Sequence, residues 1–122
     1  MTIQECYQML GGDFAQVEKR LLSVSMVKRF ITKFLDDDSF SRLEKAAREG
    51  RREEAFRAAH TLKGVSANLG FGRLLASSTR LTELLRPETD SIPEEAKPLL
   101  EEVGQDYESA VDTIRAYLNS AD

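Results

Sequence analysis

Apolar residues recur every three or four positions along almost the whole chain, and nowhere does a run of β-branched residues alternate with polar ones. A chain patterned at the helical period can bury its apolar stripes only by packing helix against helix, so the expected fold class is all-α. At 122 residues it is long enough to close a continuous core without disulfides or metals, and a single domain over 1–122 is expected.

Capping residues and glycines divide the pattern into segments. A short amphipathic stretch near Ile3 to Leu10 and a helix capped by Asp13, carrying Phe14, Val17 and Leu21, form an N-terminal pair over about 3–22, separated by Gly11 and Gly12. A helix from near Ser25 is expected to bury Met26, Phe30 and Phe34 and to end at the acidic run Asp36, Asp37, Asp38. Ser39 is expected to cap the next helix, whose stripe is Phe40, Leu43, Ala46 and Ala47 and which Gly50 closes. A central helix runs from Arg52 to about Leu69. Gly70 and Gly72 around Phe71 then break the chain before a helix with Leu74, Leu81 and Leu85, and these two should form an antiparallel hairpin. After a loop between Pro87 and Pro93, Leu100, Val103, Tyr107, Val111, Ile114 and Leu118 mark a long last helix with Pro98 in its first turns. The sum is an antiparallel four-helix bundle, its core over about 25–120, with short additional N-terminal helices.

Composition narrows the function. The net charge of −4 has the wrong sign for gripping nucleic acid. No apolar run approaches the roughly 18 to 20 residues that cross a bilayer, and Met1 to Leu10 lacks the basic head and apolar middle of a secretory signal. A cytoplasmic protein is expected, with no membrane partner. One cysteine, Cys6, and one histidine, His60, with scattered carboxylates make no transition-metal constellation, so no metal site is expected.

The histidine is where function concentrates. At about 100° per residue, Ala55, Ala58, Leu62, Val65 and Leu69 share the core side of the central helix. His60, Lys63, Gly64 and Ala67 fall on the opposite side at spacings of three, four and seven, so the ring faces water beside a lysine. Gly64 stands in mid-helix, where glycine costs about 1 kcal/mol relative to alanine. Lacking a side chain one turn from the imidazole, it leaves room for another protein surface to reach the ring. Close packing against a neighbouring helix is the alternative use of such a glycine, but periodicity puts Gly64 outside. Lys63 can offset the charge of a phosphoryl group on His60, and a neutral ring nitrogen is nucleophilic near pH 7.

His60-Thr-Leu-Lys63-Gly64 followed by Leu69-Gly70, with the lead-in Ala55-Phe56-Arg57-Ala58-Ala59 and the following Phe71-Gly72-Arg73-Leu74, strongly resembles the histidine-containing phosphotransfer (HPt) domain family. The resemblance implies a carrier that takes a phosphoryl group from one receiver-domain aspartate and gives it to another in a multistep phosphorelay. His60 would be the phosphoacceptor, Lys63 would stabilise the phosphate and Gly64 would admit the receiver. It implies response-regulator receiver domains and a hybrid histidine kinase as partners, and Mg²⁺ supplied by the receiver rather than by this chain. Where some members carry a glutamine on the next helix, this chain aligns Thr82, and Arg86 matches a basic position seen in some members.

A landing patch for the receiver is expected around His60, from Phe56, Ala67 and Phe71, although Phe56 and Phe71 could instead tuck under the N-terminal helices. A kinase is disfavoured, since the chain has no glycine-rich phosphate loop and no room for an ATP-binding domain. The rival reading is a helical adaptor that docks a receiver or kinase without phosphotransfer. A freestanding monomeric shuttle is the expectation.

Overall fold

The computed structural model describes residues 1–120; Ala121 and Asp122, the last two residues of the expected 1–122 domain, lie outside the described residues. Seven helices follow one another: α1 (Ile3–Met9), α2 (Phe14–Leu21), α3 (Val24–Phe34), α4 (Ser39–Arg48), α5 (Arg52–Leu69), α6 (Gly72–Leu85) and α7 (Ala96–Ser120). Helix α4 packs on α5, α5 on α6, α6 on α7 and α7 back on α4, which closes a four-helix ring; α3 lies against α5 and α7. The all-α bundle expected from the periodicity is what forms.

The ring is antiparallel because its first two connections are too short for anything else. Only Glu49 to Arg51 separate α4 from α5, and only Gly70 and Phe71 separate α5 from α6. Gly70, at φ 74°, adopts the left-handed conformation that ends α5, and the Phe71 N–H then reaches back to the Ser66 carbonyl at 2.9 Å. The longer 86–95 connection is held from beneath: buried Arg52 donates to the carbonyls of Leu85 (2.6 Å) and Thr89 (3.1 Å). An ion pair of Arg80 with Glu102 ties α6 to α7.

The core runs through the ring and out beneath the N-terminal pair. Leu43, Leu62, Leu74, Leu81, Leu85, Val103 and Ile114 fill its centre. At the α5–α6 turn Phe71 meets Phe34 edge to face, with ring centroids 5.0 Å apart, and Phe34 in turn contacts Tyr107.

Three details differ from the sequence reading. In α3, which starts at Val24 on the Ser23 cap, the wholly buried residues are Val27, Ile31 and Phe34, while Met26 and Phe30 are half-buried, because the core meets the i, i+4, i+7 row from Val27 and leaves the Met26–Phe30 row on its edge. Ser39 does not cap α4. It is the first helical residue, and its N–H donates to the Asp37 carboxylate at 2.8 Å. Val65 is half-buried, since α5 meets α3 only along its flank.

Candidate functional site

Helix α5 is flanked by α4, α6 and, more lightly, α3, so little of its surface remains open. Ala55, Ala58, Ala59, Leu62, Ser66 and Leu69 are buried, whereas His60, Thr61, Gly64, Ala67 and Asn68 stay exposed. The helix is therefore a core element with one wet stripe, and His60 sits in the middle of it. Glu53 and Glu54 in the first turn suit the positive end of the helix dipole.

Around His60 the placement is specific. A Cβ added to Gly64 would meet nothing within 4 Å, so close packing does not account for this glycine. Lys63 is half-buried at the edge of the stripe. Phe56, one turn earlier, is also half-buried, its ring centroid 6.0 Å from that of His60 and tilted by 50°. It sits beside the imidazole rather than under the N-terminal helices. The Arg86 guanidinium lies over the same ring, 5.2 Å from its centroid.

Two expected site residues are not there. Phe71 is wholly buried between Phe34 and Tyr7, because the two-residue turn after α5 directs its side chain into the core, so it extends no landing patch. Thr82 is likewise wholly buried, on the inner face of α6, and its hydroxyl donates to the Ser78 carbonyl at 2.6 Å. It offers nothing to the surface beside His60. Ala67 is exposed two turns along the stripe, and Arg86 is exposed at the end of α6, as expected.

The residue that α6 presents in place of Thr82 is its neighbour Glu83. Its carboxylate receives Arg86 Nε at 3.2 Å on both oxygens and Nη2 at 2.7 Å. That bond holds the Glu83 carboxyl below the usual range, with further electrostatic help from Arg86 and Lys63, and it correspondingly raises Arg86. Glu83 thus belongs to the His60 cluster. Nothing in the sequence singled it out beyond its three-residue spacing from Arg86.

The far end of α5 is finished by residues from the N-terminal pair. Arg20 donates to the carbonyls of Ala67 (3.1 Å) and Asn68 (2.8 and 3.2 Å), and the Tyr7 hydroxyl donates to that of Leu69 (2.8 Å). These are among the carbonyls a helix end leaves without partners.

Fold and site together define a carrier-like surface: a helical bundle that displays one histidine on an open stripe, with cations and an aromatic ring around it. The Hpt domain model matches residues 26–119, and the chain belongs to the Hpt domain family. Hpt domains are phosphotransfer carriers rather than kinases, which gives this one a histidine phosphotransfer role in two-component signalling. Neither the curated proteins nor the solved structures returned a match. No helix among the described residues is long and apolar enough to cross a membrane.

Proposed function

We propose that the chain carries a phosphoryl group on His60 between receiver-domain aspartates in a multistep phosphorelay. The observation that carries this reading is the open approach to an exposed imidazole, with bare Gly64 one turn away on the same stripe. A ring nitrogen lone pair attacks the phosphorus of the receiver's aspartyl phosphate; the N–P bond forms, the P–O bond breaks, and its electron pair returns to the aspartate as carboxylate. Transfer to the next receiver is the reverse. Lys63 stabilises the phosphoryl oxygens, Gly64 admits the receiver, and Phe56 and Ala67 belong to the surface on which it lands. The receiver supplies Mg²⁺, so this chain contributes a positioned nucleophile and no metal ligand.

The experiment is transfer of label from a phosphorylated receiver domain with Mg²⁺ to the wild-type chain and to His60→Gln. Acid-labile, base-stable label on the wild type and none on the variant is expected. If both proteins bind receivers yet neither takes label from any of several, the chain is an adaptor and the carrier reading is wrong.

A further inference from the structure

Arg86 makes two contacts that point in different directions. It forms a bidentate pair with Glu83, and it lies over the face of Phe56, the ring that also borders His60. Both partners of the ion pair are about half exposed, 51% for Arg86 and 54% for Glu83, and they lie three residues apart at the end of α6. Such a pair is weak and adds little to stability. What it does is hold a guanidinium one aromatic ring away from the imidazole.

Loading His60 changes the balance of charge at this point. A phosphoryl group brings close to two negative charges and three strong acceptor oxygens, against one charge and two oxygens on Glu83. Guanidinium is the side chain best shaped to bind such a group in two places. Arg86 is half exposed at the end of α6 and anchored in no core, and Phe56 is a flat surface along which it can slide. Resting on the phosphotransfer reading, we propose that Glu83 is a positioning residue: it holds Arg86 over Phe56 in the empty carrier and yields it to the phosphoryl group once His60 is loaded.

The exchange has a thermodynamic signature. At equilibrium between this chain and a receiver, the distribution of phosphate depends on the stability of the separated phosphoproteins and not on how well they dock. Arg86→Gln should shift that equilibrium away from phospho-His60 by roughly two- to fivefold, the range of an exposed charge pair. Glu83→Gln frees Arg86 in advance and should shift it the other way by a similar factor. In the Glu83→Gln/Arg86→Gln double variant the gain from Glu83→Gln should vanish, because Glu83 acts through Arg86.

The measurement is this double-mutant cycle on the full chain, with a receiver domain that loads the wild type. It is read beside the Arg86 Nε–H resonance before and after loading with phosphoramidate, which needs no receiver. A shifted Arg86 resonance and a coupled cycle are expected. An unmoved resonance, or a Glu83→Gln gain that persists without Arg86, overturns the exchange. Failure of the wild type to load from either donor would instead overturn the carrier reading beneath it.

Discussion

The Tyr7 hydroxyl and the Leu69 carbonyl are joined by a buried hydrogen bond of 2.8 Å across 62 positions of sequence. Tyr7 is wholly buried, and its burial pushes the phenol to a higher pKa than usual, so it stays a donor. Removing the hydroxyl leaves the last carbonyl of α5 without this partner while preserving the packing of the ring on Phe14 and Phe71. Tyr7→Phe should therefore cost about 1–3 kcal/mol, read from the denaturant midpoint at unchanged m-value.

Gly64 separates stability from function. With open space around the position and an ordinary helical neighbourhood, Gly64→Ala should stabilise the fold by about 0.5–1 kcal/mol. A longer side chain fits the free protein equally well but occupies the approach to His60. Gly64→Gln should leave the thermal midpoint at or above that of the wild type and slow phosphoryl uptake from a receiver.

Cys6 is fully buried, and desolvation pushes its thiol up to about 11 from an ordinary 9.0. Thiol reagents should label it slowly at pH 8 in the native protein and rapidly in denaturant. The folded state holds the thiol proton more tightly than the unfolded state does. The associated stability is therefore fully present below 9.0 and is lost as pH rises to and through 11, by up to about 3 kcal/mol. The wild type should lose stability relative to Cys6→Ala across that window, measured by urea denaturation.

Arg52 binds two carbonyls of the segment leading out of α6. Arg52→Met keeps much of the buried stem and removes both bonds. It should cost roughly 2–3 kcal/mol and accelerate amide exchange selectively in residues 86–95, which hydrogen exchange by mass spectrometry resolves.

What the sequence disclosed and what it hid follow from the physics of each residue. The ends of α5 were legible because Gly50 and Gly70 bracket a continuous period, and the exposure of His60 followed from that period alone. Phe71 was not legible: two residues between helices carry no period, and only the assembled Phe34 and Tyr7 rings decide that it points inward. Thr82 was misplaced because α6 packs against both α5 and α7, which buries a wider arc than its leucines mark and takes small polar residues with it. Glu83 escaped notice because a glutamate on the exposed face of a helix has no signature until the neighbouring helix supplies its company.

The segment that finishes α5 lies outside residues 26–119, over which the Hpt domain model matches. Tyr7 and Arg20 belong to the first 25 residues, yet they grip the last turn of the helix that displays His60. A chain trimmed to the family boundary would keep every residue of the phosphotransfer motif and lose the anchor beneath it. Its histidine would ride on a helix whose last carbonyls lack these partners, so the first 25 residues contribute to the stiffness of the surface that displays His60.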